Sequence, residues 1–286
     1  MPEGPELRIS KELIKPLVVD KYVGKILVGT KGRYASTPPE GLNEFHNSFR
    51  KLEAIGYMVD PVKITDVNVK GKFMYWTFDN GWYMFCTFGM SGQMSPIEGK
   101  HVCLQFKLIE SQNKDLDMFF NDTRHFGTIK FTNDKNELND KLNELGWDPF
   151  TPFKDKKDFI INALKKSNKS ICEDLMNQKI FAGVGNYIRA EALYLNKTSP
   201  WIKSFTLNED QITQLCDSIQ KIMEESYNHQ GATISTYKDA YGAEGKYTSC
   251  FKVYGKKIDP NGYKIIKEES PDGRTIHWCP QIQFMY

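Results

Sequence analysis

Two aromatic-rich runs, KFMYWTF (72–78) and WYMFCTF (82–88), are separated only by Asp-Asn-Gly. No other stretch constrains the fold as much. Asn-Gly supplies positive φ at little steric cost, so the runs predict two strands of a tight hairpin. HVCLQFKLI, LDMFF and TIKFTN carry the same texture to about residue 132. Aromatic and β-branched residues occupy both faces of these segments, which calls for packed sheets, a β-sandwich. From KNELNDKLNELG onward the period becomes helical. Segments 135–145, 155–167, 170–178, 186–195 and 207–228 predict helices, with Gly183 and Gly185 punctuating the middle pair. Residues 3–15 predict a leading helix, with Pro2 where a missing N–H costs little and Pro16 placed to interrupt it. The last forty residues, with SCFKVYGKKI, DPNG, YKIIKE and RTIHWCP, return to β-like texture. No internal repeat is present. The expected class is α+β in three parts: 1–134, β-rich with a leading helix; 135–243, helical; 244–286, a small β appendage.

Composition excludes several classes. Hydrophobic residues make up 40% of the 286, which leaves no room for a disordered or collagen-like chain. No run of eighteen apolar residues occurs, and no basic segment precedes an apolar one at the N-terminus. Neither membrane insertion nor secretion is expected, and an intracellular monomer is. Six cysteines (86, 103, 172, 216, 250, 279) lack any C-x-x-C pairing, which suggests reduced thiols rather than a disulfide framework. The net charge of +2 gives no global nucleic-acid signal. Between Lys246 and Arg274, however, seven basic residues face four acidic ones, a patch that suits phosphate contact or a solvated surface.

Several short motifs carry chemistry, each beside a plainer reading. Removing Met1 exposes Pro2, a secondary amine; with an aldehyde it gives an iminium, already cationic, that acidifies the next carbon and drives elimination. An α-amino group has an ordinary pKa of about 7.7–8.0, so much of it is nucleophilic at neutral pH. Glu3 beside it could shuttle protons. The plainer reading is that Pro2 and Glu3 start a helix. In LMNQKIFAGVGNYIRAEALY, the helix start near Asn186 offers amides and a side chain as an anion cradle, unless the glycines only let two helices pack. Lys72 could reach a phosphate or cap a surface strand. Met90, in FGMSGQM, could fill a gap in a base stack or a core. Arg124 and Phe126, two apart in NDTRHFG, could pair with an orphaned base and stack beside it, or form a cross-strand pair. Arg274 follows Asp-Gly at a hairpin tip, where its fork suits a phosphate. Cys250, His277 and Cys279 raise the question of zinc, but a structural site needs four ligands, usually in close pairs. No metal is expected.

Taken together, PEGPE at the start, KGK at 70–72, FGMSG, NDTRHFG, NQKIFAGVGNYIRAEAL and GRTIHWCPQIQ resemble, in order, the Fpg/Nei family of bifunctional DNA glycosylases. The resemblance spans nearly the whole chain. It implies a β-sandwich joined to a helix–two-turn–helix domain with an antiparallel finger, and DNA held between them. It makes Pro2 the Schiff-base nucleophile and Glu3 the general acid–base, with Glu6 the second glutamate of the opening motif. Lys72 and Asn186 match phosphate ligands, Arg274 the fingertip arginine, and Met90, Arg124 and Phe126 the void-filling trio. His101 matches a further DNA-contacting histidine. Members with a zinc finger show two C-x-x-C pairs; this chain has Cys250 and Cys279 alone. That places it beside the zincless-finger, endonuclease VIII-like branch of animals, plants and giant viruses, with PEGPE and KKIDPNGYKII leaning toward the viral type. The implied partners are duplex DNA with oxidised pyrimidines, hydantoin-type guanine products or abasic sites, and also single-stranded DNA. No cofactor is implied. A non-catalytic damage-binding protein and a zinc-dependent nucleic-acid module are the rival readings. The segment NHQGATISTYKDAYGAEG matches nothing in this pattern.

Overall fold

A computed structural model describes residues 2–30, 32–50, 61–109, 115–234 and 237–284. After the leading helix α1 (Gly4–Val18) come β1 (Tyr22–Val28), helix α2 (Leu42–Arg50), β2 (Val62–Lys70), β3 (Phe73–Phe78), β4 (Tyr83–Thr87), β5 (Gly92–Ser95), β6 (Val102–Ile109), β7 (Asp115–Asp122) and β8 (Thr128–Thr132). Pro16 does not stop α1, which runs two residues past it. In the last turn its ring removes a single hydrogen bond, and the fully buried Ile14 and Val18 hold the turn in place. The predicted hairpin is β3–β4, closed by Asp79–Gly81, of which only Gly81 has positive φ. A three-residue loop therefore replaces the two-residue Asn-Gly turn.

The strand order is β5-β7-β6-β1-β2-β3-β4-β8, antiparallel throughout. Only Tyr22↔Lys63 and Val23↔Val62 join β1 to β2, so the array is two four-stranded sheets meeting at a corner. Their inner faces form the sandwich core, where Trp76 of β3 stacks on Phe106 of β6 at 5.7 Å. Helix α2 is absent from the sequence expectation. Its Leu42, Phe45 and Phe49 make one apolar stripe, and Phe45 packs on Phe78 and Phe131 to close the end of the core.

Helices α3 (Lys135–Glu144), α4 (Lys157–Lys165), α5 (Ile171–Asp174), α6 (Asn186–Leu195) and α7 (Glu209–Asn228) follow, then the hairpin β9 (Ile266–Glu269) and β10 (Thr275–Trp278). Where the sequence predicts helix over 170–178, only α5 forms. The amides of Ile180 and Phe181 turn back onto the Asn177 carbonyl, and Trp147 N–H bonds Ile180, which diverts the chain. SCFKVYGKKI is not a strand either, because the amides of Lys252, Val253 and Tyr254 all go to the Glu191 carboxylate. A helical core around Trp147, Phe181, Tyr187, Ile219 and Met223 results.

The chain divides into two compact units that do not follow the sequence in blocks. One holds Pro2, Glu6–Leu142 and Thr233–Gly245; the other holds Glu3–Pro5, Asn143–Ala232 and Lys246–Tyr286. Much of the segment that matches no motif thus lies with the sheets, where Ser95 Oγ donates to the Ala240 carbonyl at 2.7 Å and Gln93 Nε2 to that of Asp239. Ser235 and Thr236 of that segment, and Met1, lie outside the described residues.

Candidate active site

Glu3 is the most constrained of the candidate residues. It is only 2% exposed, and its carboxylate sits on the N-terminus of α6, where Oε1 accepts from Tyr187 N–H at 3.1 Å and Oε2 from Ile188 N–H at 3.4 Å. An anion there gains from the unpaired amides and the helix dipole. The cradle that the sequence offers to a DNA phosphate is therefore already filled from within the chain. Gly185, the N-cap, makes this possible: a Cβ there would lie 2.1 Å from the Glu3 carboxyl carbon. Gly4 N–H bonds the Gly183 carbonyl at 2.9 Å, so the opening motif and the Gly-Val-Gly turn pack directly together. Pro2, grouped with the sheets, is buried, as is Glu6 in the first turn of α1. Burial, with the Glu6 and Asp239 charges adding to it, pushes up the pKa of the Tyr237 phenol.

In the β-rich unit the loops bearing Met90, Arg124 and Phe126 are neighbours. Phe126 is 54% exposed and Met90 37%, and the Arg124 guanidinium carbon lies 5.4 Å from the centre of the Phe126 ring. An exposed methionine beside an arginine–aromatic pair presents an apolar and cationic surface of the kind that stacks against bases. Lys72 stands in the β2–β3 turn after Gly71, half-buried. His101 is exposed at the entrance to β6, its ring 6.2 Å from that of His125.

In the helical unit the structure brings Asn186 to the hairpin. Asn186 Nδ2 donates to the Thr275 carbonyl at 3.0 Å, one residue from Arg274. Arg274 is exposed at the β9–β10 tip and pairs with Asp272 at 3.0 Å. Behind it lies Arg189, 0% exposed, which the motif reading passes over. Its fork donates to Asp272 at 3.1 Å, Ser270 Oγ at 3.0 Å and the Cys172 carbonyl at 2.9 Å, and its Nε to Asn186 Oδ1 at 3.0 Å. Burial pushes the Asp272 carboxyl pKa up, but the Ser270 hydroxyl, the Arg189 charge and the Arg274 guanidinium outweigh it and hold that pKa below the usual range. Glu191, also buried, anchors the approach to the hairpin through its three amide bonds, and burial still raises its pKa. The available signal was context: Arg189 and Glu191 lie among Tyr, Ile, Ala and Leu in a helix buried on all sides from Tyr187 to Tyr194.

The finger region does not fit a tetrahedral zinc site. Among the described residues no three His, Cys, Asp or Glu side chains gather into a metal-holding group. His277 is buried with its Nδ1 unpartnered and its ring centre 4.8 Å from that of Tyr254. Burial, helped by the Lys267 and Arg189 charges, pushes its pKa down to about 4, so it is neutral at pH 7.

The architecture is that of a DNA-repair glycosylase. The crystal structure of the MutM (Fpg) protein from Thermus thermophilus matches with a TM-score of 0.81 at 24% identity, over 99% of this chain and 98% of that one. Lactococcus lactis Fpg in complex with abasic-site DNA matches with a TM-score of 0.81 at 25% identity, over 99% of this chain and 100% of that one. The formamidopyrimidine-DNA glycosylase N-terminal domain profile covers residues 1–129, and the H2TH domain profile residues 145–238. The formamidopyrimidine-DNA glycosylases of Listeria innocua and Prochlorococcus marinus are each 30% identical, over 99% of this chain and 100% of theirs. The chain belongs to the formamidopyrimidine-DNA glycosylase family, base-excision enzymes with abasic-site lyase activity. Among the described residues no helix is long and apolar enough to cross a membrane.

Proposed function

We propose that the chain removes oxidised bases from DNA and then cleaves the strand, with Pro2 as nucleophile. The observation that carries this reading is the Glu3 carboxylate, buried on the α6 amides in the residue next to Pro2. Once Met1 is removed, the Pro2 nitrogen attacks the sugar C1′ and the base departs with a proton. Opening of the sugar ring, with the C1′–O4′ bond broken and a proton taken up by O4′, turns this adduct into an iminium that acidifies C2′; loss of the C2′ proton eliminates the 3′ phosphate, and a second elimination releases the 5′ phosphate. Glu3 shuttles protons at the sugar, held in register by Tyr187 and Ile188 N–H. Glu6 supports the opening motif. Lys72, Asn186 and Arg274 bind backbone phosphates, and His101 adds a contact. Met90, Arg124 and Phe126 occupy the space left by the extruded nucleotide. Both nucleophile and acid–base are side-chain or terminal groups, so the chemistry needs no cofactor, and a monomer suffices.

The single Cys250 and Cys279 favour the zincless, endonuclease VIII-like branch, and with it oxidised pyrimidines and hydantoins in duplex or single-stranded DNA. The formamidopyrimidine-DNA glycosylases at 30% identity favour a second reading, ring-opened purines. Borohydride trapping across a panel of thymine glycol, hydantoin, formamidopyrimidine and abasic DNA separates the two. N-terminal sequencing of the active protein should give proline first. Tight lesion binding without any trapped adduct, Pro2 being exposed, would favour the non-catalytic damage binder instead.

A further inference from the structure

Asp122 is 1% exposed, and both of its carboxylate oxygens are occupied. Oδ1 accepts from Ser91 Oγ at 2.6 Å and from Arg124 N–H at 3.2 Å, and Oδ2 accepts from Gly127 N–H at 2.7 Å. Arg124 N–H also reaches Ser91 Oγ, at 2.9 Å. Of these four bonds, the two made by Ser91 join two separate turns, and the two from Arg124 and Gly127 N–H to Asp122 close the second turn on itself. The first runs from Phe88 to Gly92, is closed by Gly92 N–H to the Phe88 carbonyl at 2.7 Å, and displays Met90. The second runs from Asp122 to Gly127 and displays Arg124 and Phe126. Their backbones touch: a Cβ on Gly89, whose φ is +55°, would fall 2.6 Å from the Phe126 carbonyl carbon. The polar network sits beneath a surface that is itself exposed and apolar, so it fixes the spacing of the displayed side chains rather than contacting anything they contact.

We infer that Asp122, with Ser91, is a positioning residue that locks Met90, Arg124 and Phe126 into a single rigid wedge. This rests on the wedge role proposed above for those three side chains. A wedge entering a base stack must keep its parts within fractions of an ångström, and two turns joined only by exposed side chains would splay under load. Asp122 prevents this because a buried carboxylate that lost one of its donors would be left partly unsatisfied.

The test uses full-length D122N and S91A beside M90A and F126A. Asparagine keeps one acceptor oxygen but turns a donor toward Gly127 N–H; S91A removes both Ser91 bonds between the turns and keeps those within the second turn. Two rates are measured: single-turnover excision of thymine glycol from duplex DNA, which requires the wedge, and borohydride trapping on a single-stranded abasic oligonucleotide, which has no opposing base. Duplex excision should fall about 100-fold in D122N and about tenfold in S91A, with trapping on the single strand within about twofold of wild type. Wild-type duplex rates in both variants, or equal losses on the two substrates, would overturn the inference. If D122N melts early, S91A decides alone. If instead M90A and F126A leave duplex excision intact, the wedge reading itself fails, and Asp122 loses its part with it.

Discussion

Gly185 and Glu3 are separated by most of the chain, yet neither makes sense alone. A methyl group at Gly185 would occupy the position of the Glu3 carboxylate, so Gly185→Ala should reduce borohydride trapping about 100-fold while leaving lesion binding measurable. Arg274 presents the opposite case. It is exposed, and its side chain pairs with Asp272, which Arg189 and Ser270 also hold, so Arg274→Ala should change the melting temperature little and depress lesion processing about tenfold, as single-turnover excision would register. At this scale the sequence singles out candidates where a short motif carries them. Pro2, Glu3, Lys72, Asn186 and Arg274 could be named from PEGPE, KGK, GVGN and DGR because the order of these stretches follows a family pattern. Arg189, Glu191 and Asp122 could not. Their roles are set by partners elsewhere in the chain (Asp272, the Lys252–Tyr254 amides, Ser91), and a charged side chain in one dimension looks solvated until its burial is known.

Among the elements, the β9–β10 hairpin is the most exposed to challenge, because two short strands are marginal by themselves. Its tip is fastened to α6 by Arg189 and Asp272, while Ile265, Ile276 and Cys279 pack on Ala190 and Tyr194. Removing the buried cation should cost about 3–5 kcal/mol, since Asp272 would keep only Ser270 and the exposed Arg274 as side-chain partners. Hydrogen exchange of the Thr275–Trp278 amides in Arg189→Ala would report that loss. The sign of the pH response follows from Asp272. Its folded pKa lies below its ordinary value of 3.8, so its stabilising contribution is complete above that value. It is lost as the pH falls through the lowered folded value. Acid should therefore loosen the tip first, visible in the fluorescence of Trp278, which donates to Glu268 at 2.8 Å, and D272N should abolish this response at the cost of a looser tip at every pH. The sequence predicted the hairpin from its turn residues. It did not foretell that SCFKVYGKKI would forgo strand pairing, because a carboxylate claims those amides.

For the whole molecule, DNA binding should weaken as salt rises, and Arg274→Ala should lower the slope of log affinity against log salt by about one. Since ion pairs and a small apolar cluster hold the finger, dialysis against a zinc chelator should change neither strand cleavage nor the exchange of the hairpin amides. The passage from strands to helices was legible from the change of period near residue 135. The path of the chain through the two units was not, because contacts of the 233–245 segment with β5 leave no local pattern. That path has a consequence for how such an enzyme can be built. The chain passes between its units after Pro2, Pro5, Leu142, Ala232 and Gly245, so any cut into a front and a back half takes pieces from both. Gene fragments exchanged after Leu142 would yield two incomplete bodies, and Glu3 would come from one parent while the α6 amides that hold its carboxylate came from the other. Evolution can therefore retune this enzyme by substitution, but not by shuffling its halves.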